Sequence, residues 1–157
     1  MTTAADIMEP RVVTVSADTP LLNVYRLFVA EDISGAPVVN DTGDVVGVVS
    51  TRDLLRTANE THDEAVVDLH YYEGVFSFQE DEWKTDIEDF EDRLSQRSVS
   101  EVMTTGVISV RPDAPVSDIA ALMKKHRIHR VLVLDEDNDE QALVGLVSVF
   151  DLVELLV

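Results

Sequence analysis

Residues 47–53, GVVSTRD, decide the fold because they return near the other end of the chain as residues 145–151, GLVSVFD. In both copies a glycine precedes a short apolar run that ends in Ser-x-x-Asp. A short apolar run predicts a buried strand, and a serine followed three residues later by an acid is typical of a helix start. Two copies of one strand-to-helix junction predict a duplicated structural unit.

The duplication extends toward the start of each copy at an offset of 95 residues, which becomes 98 at the junctions because a few extra residues within 135–143 shift the phase. The segment 6–8 (DIM) returns as 101–103 (EVM), and 18–20 (DTP) returns as 113–115 (DAP). Solenoid repeats recur every ~20 to 50 residues, so the longer period here indicates duplication of a whole subdomain. We expect the two copies to pack together around a pseudo-twofold axis, with a cleft between them.

Each copy predicts the order strand, helix, strand, strand, helix, which is a mixed α/β (α+β) fold. The first strands are expected at 12–15 and 107–110, and the hairpins at 36–49 and 131–147. In repeat 1 the expected helix cap is Asp18 or Thr19, with Pro20 as the first helical residue. In repeat 2 the expected cap is Asp113, with Pro115 in the same place. The apolar residues of the first helices recur at helical spacing and predict one buried stripe on each.

Residues 57–97 belong to neither copy, so we expect repeats at 1–56 and 98–157 with an acidic insert between them. Trp83, Ile87, Phe90 and Leu94 are spaced as the apolar stripe of an amphipathic helix. Residues 75–78 are expected to be extended. We expect the insert to dock on the tandem repeats or on a second copy of the molecule.

The chain carries 31 acidic and 12 basic side chains, a formal net charge of -19. Binding to the phosphates of nucleic acid depends on Lys and Arg, so no nucleic-acid partner is expected. No apolar run reaches the ~18 residues of a membrane span, and the N-terminus lacks a signal peptide pattern, so a cytoplasmic protein without a membrane partner is expected. An acid-rich chain with three lysines also suggests a halophilic source, where salt screens the self-repulsion.

Ser50 with Asp53, and Ser148 with Asp151, form the strongest candidate site. One interpretation is a capping box that only stabilises the helix start. The other is a ribose site, because a carboxylate accepts hydrogen bonds from a cis-diol and the amides of the helix start donate to phosphate or hydroxyl groups. Both interpretations remain open on the residues alone.

The DIM and EVM openings, residues 33–39 (ISGAPVV) and the paired Gly-apolar-apolar-Ser-x-x-Asp segments resemble a tandem of CBS domains, the Bateman module. The resemblance covers about residues 3–55 and 98–155. It implies two strand-helix-strand-strand-helix repeats packed as a pseudo-twofold pair. It also implies AMP, ADP, ATP or S-adenosylmethionine as candidate ligands in the clefts, with Asp53 and Asp151 holding the ribose hydroxyls.

The same resemblance implies the remaining site residues. His129 and Arg130 correspond to a His-Arg pair that contacts phosphate in nucleotide-binding members of the family, although they also fit a solvated basic helix end. Repeat 1 has Ser34 and Gly35 there, which makes its cleft less positive, and repeat 2 has Leu132 where repeat 1 has Pro37. The adenine-flanking positions are Val13, Thr14, Ala36, Pro37, Ile108, Ser109, Val131 and Leu132.

Catalytic and cysteine-based signatures are missing from the sequence, which has no cysteine, no Gly-x-Ser-x-Gly and no phosphate-binding glycine-rich loop. We therefore expect a regulatory module rather than an enzyme, with no required cofactor, no metal, a homodimeric state and a separate effector protein. Two alternatives remain: a ligand-free dimerising scaffold, and a divalent-cation sensor that uses acids of the insert such as Glu80, Asp81 and Glu82.

Overall fold

The computed structural model describes residues 1–58, 87–137 and 140–157. Repeat 1 and the end of the insert contain α1 (Ala4–Ile7), β1 (Val15–Ser16), α2 (Leu21–Glu31), β2 (Gly35–Val39), β3 (Val45–Ser50), α3 (Thr51–Ala58) and α4 (Ile87–Ser95). Repeat 2 contains α5 (Val99–Val102), β4 (Ser109–Val110), α6 (Val116–His126), β5 (Arg130–Asp137), β6 (Glu140–Ser148) and α7 (Val149–Glu154). The mixed α+β class and the duplicated order of elements are confirmed.

Each repeat forms a three-stranded sheet of the same topology. In repeat 1 the order is β1-β2-β3, and in repeat 2 it is β4-β5-β6. The first two strands of each sheet are parallel, and the last two form an antiparallel hairpin. The first strands are shorter than expected, two residues each, and the second hairpin is longer, because β5 and β6 continue into the acidic segment that was expected to be a loop.

The long helices α2 and α6 begin one residue later than the sequence suggested. Pro20 and Pro115 are the N-cap residues, with extended backbone, and neither helix has a side-chain cap. The first helical amides instead donate to distant main-chain carbonyls: Leu21 to Arg97, the last residue of the insert, at 2.9 Å, and Val116 to Thr2 of repeat 1 at 3.1 Å. A carbonyl that is distant in sequence thus replaces the predicted local cap.

The segment that follows the first short helix of each repeat pairs with a strand of the other repeat. Glu9, which follows α1, pairs in both directions with Leu146 of β6, and Thr104, which follows α5, pairs in both directions with Val48 of β3, at 2.8 to 2.9 Å. The buried core is shared as a consequence, since burial of apolar surface drives the association. One buried cluster contains Ala4, Val45, Val48, Val131, Leu132 and Val147, which come from both repeats.

The end of the acidic insert docks on repeat 1. Helix α4 packs against α2 and α3, and its Phe90 and Leu94 are buried, at 8% and 0% exposure. The rings of Phe90 and Tyr25 meet edge to face with centroids 5.3 Å apart. The expectation that the insert docks on the tandem is confirmed for α4, whereas Trp83 and the predicted extended segment at 75–78 lie outside the described residues.

Candidate functional site

The Ser50–Asp53 junction lies where β3 passes into α3. One carboxylate oxygen of Asp53, Oδ2, accepts hydrogen bonds from the Ser50 amide at 2.8 Å and the Ser50 hydroxyl at 3.2 Å. The other oxygen, Oδ1, lies 3.8 Å from Nη1 of Arg56. Asp53 is only 3% exposed, so its charge is held inside the repeat by these contacts rather than by solvent.

The Ser148–Asp151 junction repeats this geometry between β6 and α7. Oδ2 of Asp151 accepts from the Ser148 amide at 2.7 Å and from its hydroxyl at 3.1 Å. The serine hydroxyl in turn faces the third amide of α7, which completes a capping box. Asp151 is half-buried, unlike Asp53. The full capping box is therefore formed at the second junction and its carboxylate half at the first, and the two sites differ in how far the carboxylate is exposed.

The same box occurs twice more, at positions that our sequence analysis did not single out. Asp6 accepts from the Thr3 amide at 2.8 Å and its hydroxyl at 3.1 Å, and Glu101 accepts from the Ser98 amide at 3.2 Å. The Thr3 amide and then its hydroxyl hold the pKa of the Asp6 carboxyl below its ordinary value. The pattern Ser/Thr-x-x-Asp/Glu was present in the sequence at both places. A capping box by itself therefore does not indicate a ligand.

The capping bonds limit how either carboxylate could hold a ribose. Each carboxylate oxygen has about two lone-pair sites, and Oδ2 of Asp151 already accepts two hydrogen bonds from Ser148. A grip that uses one oxygen for each ribose hydroxyl would break the cap. A hydroxyl that leaves this cap intact would therefore have to donate to Oδ1 of Asp151.

The amides at the helix starts are also less available than expected. The first amide of α7, from Val149, donates to the His129 carbonyl at 2.8 Å, and the first amide of α3, from Thr51, donates to the Ser34 carbonyl at 2.9 Å. The third amide of α7 faces the Ser148 hydroxyl. The expectation that these amides are free donors for a phosphate is thus wrong for the first amide of each helix and for the third amide of α7.

His129 and Arg130 lie beside the second junction. Arg130 opens β5 and is the register partner of Ser148, which places it directly across the hairpin from the start of α7. In repeat 1, Gly35 is the register partner of Ser50. His129 is exposed and Arg130 is half-buried. The structure therefore places the predicted phosphate pair beside the Ser148–Asp151 box, whereas repeat 1 has Ser34 and Gly35 at the equivalent positions.

The predicted adenine-flanking residues follow the sheets but differ in exposure. Ala36, Pro37, Val131 and Leu132 are buried, so a ligand would meet their backbone rather than their side chains. Ser109 is the register partner of Leu132, whose amide donates to the Ile108 carbonyl at 3.2 Å. Val13 is half-buried and Thr14 is exposed, both just before β1. In repeat 2 the predicted positions on β4 and β5 are thus neighbours in the sheet.

A cavity of about 800 Å³ lies elsewhere, between the turn of the first hairpin and the start of β6. The Val45 amide donates to Oε1 of Gln141 across this boundary at 3.1 Å. Thr14 is the one predicted site residue that lines the cavity. Its lining comprises Pro10, Val12, Thr14, Val39, Thr42, Gly43, Asp44, Gln141, Ala142 and Leu143. Asp53 and Asp151 do not contribute to it.

The described ranges hold neither a metal-binding cluster nor a membrane-spanning helix. Within residues 1–58, 87–137 and 140–157, His, Asp and Glu side chains form no group of three or more suited to hold a metal ion. The acids proposed for cation sensing, Glu80 to Glu82, lie outside these ranges. The same part of the chain contains no helix with the length and hydropathy needed to cross a bilayer.

Comparison with known proteins places this geometry in context. A family model for the CBS domain matches residues 4–60 and 99–157. An uncharacterized protein of Methanocaldococcus jannaschii is 37% identical over 159 residues, covering 97% of this chain and 89% of that protein.

Two solved structures share the fold of the whole chain. The crystal structure of CBSX2 in complex with AMP has a TM-score of 0.67 at 24% identity, covering 98% of this chain and 95% of that one. The CBS domain pair of protein MJ0100, in complex with 5'-methylthioadenosine and S-adenosyl-L-methionine, has a TM-score of 0.65 at 21% identity, covering 99% and 95%.

Proposed function

Because this chain belongs to the CBS domain family, with two matched segments, we propose that it is a regulatory module that binds an adenosine-type ligand between its repeats. The module would pass the presence of ligand to a separate effector protein. Within the proposal, residues 1–56 and 98–157 are the two CBS repeats and residues 57–97 are the acidic insert. The protein is proposed to be cytoplasmic and non-catalytic.

The arrangement of Asp151 and Arg130 carries the proposal. Asp151 is half-buried and holds its own helix start through Oδ2, so that Oδ1 remains as an acceptor for sugar hydroxyls. Arg130 lies across the hairpin at the register position of Ser148. A hydroxyl acceptor and a guanidinium at one junction fit the two ends of a nucleotide, since Arg binds phosphate through a planar fork.

The two related folds support the ligand class. AMP is bound to CBSX2, and 5'-methylthioadenosine with S-adenosyl-L-methionine is bound to the domain pair of MJ0100. These ligands share an adenosine-type group and differ in what is attached to its 5' end. We therefore propose adenosine as the recognised group and leave AMP, ADP, ATP and S-adenosylmethionine as the candidates to be compared.

Repeat 2 is the stronger of the two proposed sites. Asp53 is 3% exposed and its Oδ1 lies near Arg56, so a ribose at that junction would first have to displace part of this arrangement. Repeat 1 also has Ser34 and Gly35 where repeat 2 has His129 and Arg130. We propose that the Asp151 site binds the phosphorylated ligand and that the Asp53 site binds it more weakly or takes an uncharged adenosine derivative.

Transmission would use the contacts between the repeats. Leu146 of β6, two residues before Ser148, pairs with Glu9, which follows α1 of repeat 1. A ligand that favours one position of β6 therefore also favours one position of repeat 1. Couplings of this kind are typically ~1 to 3 kcal/mol, enough for an effector that distinguishes the two arrangements to respond.

A thermal-shift panel tests binding directly. AMP, ADP, ATP and S-adenosylmethionine are each added to the whole chain, and a ligand at ~100 times its Kd should stabilise the fold by ~2.7 kcal/mol. Adenine-free ribose 5-phosphate is the matched negative control. A panel in which no adenosine compound raises the melting temperature would reject the proposal.

The capping boxes at Thr3, Ser98 and Ser148, with the similar Ser50–Asp53 contact, favour a second candidate, a ligand-free scaffold. The boxes at Thr3 and Ser98 have the same form as those at the proposed sites, so helix capping alone accounts for the serines and acids. In that case the panel gives no shift and substitution of Asp151 changes only stability, by about 1 kcal/mol for a lost cap. The two candidates thus predict opposite results for the same samples.

A further inference from the structure

The cavity of about 800 Å³ is built by the part of repeat 2 that departs from the duplication. The second hairpin is longer than the first, since β5 and β6 have 8 and 9 residues where β2 and β3 have 5 and 6. Residues 141–143, in this extension, form one wall of the cavity, and residues 42–44, in the turn of the first hairpin, form another. A strict duplication would not contain the first of these walls, so the cavity is a feature of this chain and not of the repeat.

The cavity also lies away from the two Ser-x-x-Asp junctions. Residues 141–143 are at the start of β6, and Ser148 is at its end. A strand rises ~3.4 Å per residue, so five to seven residues separate this wall from Ser148 by about 17 to 24 Å. Neither Asp53 nor Asp151 lines the cavity. A ligand here would therefore be separate from a ligand that binds at those two acids.

The size and lining of the cavity are those of a small-molecule site. Such sites usually have ~300 to 1,000 Å³ and combine apolar surface with a few placed polar groups. Apolar residues supply half of the lining, and two of them, Val39 and Leu143, pack against the buried cluster that both repeats share. The polar side chains come from Thr14, Thr42, Asp44 and Gln141. This combination fits an organic molecule better than a single ion.

Asp44 gives the cavity its charge. Of the described residues that line it, only Asp44 is charged. Its carboxylate is half-buried, and Oδ2 accepts a hydrogen bond from the Thr42 hydroxyl at 3.1 Å. Within residues 1–58, 87–137 and 140–157, Asp44 forms no ion pair. A cationic ligand would supply the missing partner, because charge-assisted hydrogen bonds to a carboxylate are short and strong.

The turn of the first hairpin holds this carboxylate in place. Oδ1 of Asn40 accepts from the Thr42 amide at 3.1 Å, from the Thr42 hydroxyl at 2.7 Å and from the Asp44 amide at 2.9 Å. Across the boundary between the repeats, Oε1 of Gln141 accepts from the Val45 amide at 3.1 Å. The NH₂ group of Gln141 therefore remains as a donor for a ligand. A cation at Asp44 that also offers an acceptor to Gln141 would contact both repeats.

We propose that this cavity binds a small organic cation. Its ammonium or similar group would meet Asp44, and its apolar body would cover Val39 and Leu143. The ligand would join the first hairpin to β6 and so favour one arrangement of the repeats. The proposal does not depend on nucleotide binding at Asp151, and its test contains no nucleotide.

Two-dimensional ¹H–¹⁵N NMR of the whole chain, titrated with benzylammonium in molar KCl, measures this binding. The screening length in molar salt is ~3 Å, so the general attraction of a cation to the acidic chain is largely removed. Benzylammonium should shift the amide signals of residues 42–45 and 141–143 in a saturable way. Benzyl alcohol and benzoate have the same ring without the positive charge, and each should bind at least about tenfold more weakly.

Asp44→Asn should weaken the binding of benzylammonium by about tenfold or more, because it removes the charge but keeps an oxygen for the Thr42 hydroxyl. Asp41→Asn is the matched control, since it removes the same charge from the same turn at an exposed residue that does not line the cavity. It should bind as the unaltered protein does. Ala142→Phe is a second variant, in which a ring at an exposed lining position should fill the cavity and abolish binding.

The far-ultraviolet circular dichroism melt of each variant establishes that it is folded. Equal loss of affinity in Asp44→Asn and Asp41→Asn would overturn the proposal, because the attraction would then belong to the general charge. Benzyl alcohol that binds as tightly as benzylammonium, or binding that survives both Asp44→Asn and Ala142→Phe, would also overturn it. So would the absence of a saturable shift at residues 42–45 and 141–143 of the unaltered protein.

Discussion

Met8 lies so close to Gly145 that a Cβ atom on Gly145 would be 2.5 Å from the Met8 sulfur. The other repeat has the same contact, with Gly47 against Met103 and against the Thr104 carbonyl, 2.7 Å from a Cβ on Gly47. The two glycines that mark the duplicated junctions in the sequence are therefore the places where each repeat receives the opening segment of the other. Their role is close approach of two chain segments.

Gly47→Ala should destabilise the protein by about 1 to 3 kcal/mol, the usual cost of overpacking. The added methyl group would meet the Thr104 carbonyl, which is main chain and is held by the Val48 amide at 2.9 Å. Urea unfolding measures the change. Gly106→Ala is the control, because a Cβ there meets nothing within 4 Å. Equal stability of the two variants would contradict the close-approach account.

Arg127→Gly should raise the free energy of unfolding by up to about 1 kcal/mol, because Arg127 has a left-handed backbone that disfavours residues with a Cβ. Its φ is 55°, and its amide donates to the Met123 carbonyl as the C-cap of α6. Arg127→Ala keeps the strain and removes the same charge, so it should not gain. If the alanine variant were stabilised as much as the glycine variant, the effect would belong to the charge.

Stability should depend on pH through Asp6. Because Thr3 lowers the pKa of the folded Asp6 carboxyl, the carboxylate stabilises the fold above its unfolded pKa, and this contribution is lost as the pH falls through the lower folded pKa. An NMR titration should place the Asp6 midpoint below the ordinary aspartate value. Thr3→Ala should raise it only in part, since the backbone amide remains. A midpoint that the variant leaves unmoved would exclude the hydroxyl as a cause.

Added KCl should raise the melting temperature, because the acidic side chains that give the net charge of -19 repel one another. Salt weakens this repulsion by shortening the screening length from ~10 Å at 0.1 M to ~3 Å at 1 M. KCl is used instead of a sulfate salt because sulfate strengthens apolar burial in any protein and would hide the effect of charge screening. A calorimetric scan at several KCl concentrations measures the effect. A fold that is equally stable at low salt would argue against the halophilic interpretation.

The duplicated elements could be predicted because their signals are local. The apolar run before Ser50 and the stripe at Leu21, Val24 and Phe28 each report on one strand or one helix, and both are buried as expected. The amphipathic spacing of Phe90 and Leu94 likewise identified α4 and its buried side. The spacing of apolar residues depends only on which side of a helix or strand is buried. It can therefore be recognised without knowing which element packs against that side.

The contacts between repeats could not be predicted in the same way. The caps of α2 and α6 come from Arg97 and Thr2, which are distant in sequence, and main-chain carbonyls leave no residue-type signal. Asp53 is buried beside Arg56, whereas Asp151 is only half-buried. Both acids belong to the same Ser-x-x-Asp motif, so the difference depends on tertiary packing and not on the local sequence. The boxes at Thr3 and Ser98 did carry a local signal, the acid three residues later, and it was missed.

The most direct test of the central claim is calorimetric titration of AMP and S-adenosylmethionine into the whole chain and into Asp151→Asn. Asparagine retains an oxygen for the Ser148 cap but lacks the second acceptor that ribose would use. A hydrogen bond to a charged group is worth ~1.5 to 3 kcal/mol, so Kd should rise about ten- to a hundredfold. Glu101→Gln, which alters a similar capping box at α5, should bind as the unaltered protein does. Equal affinity of all three proteins, or no binding to any of them, would contradict the assignment of Asp151 to ribose.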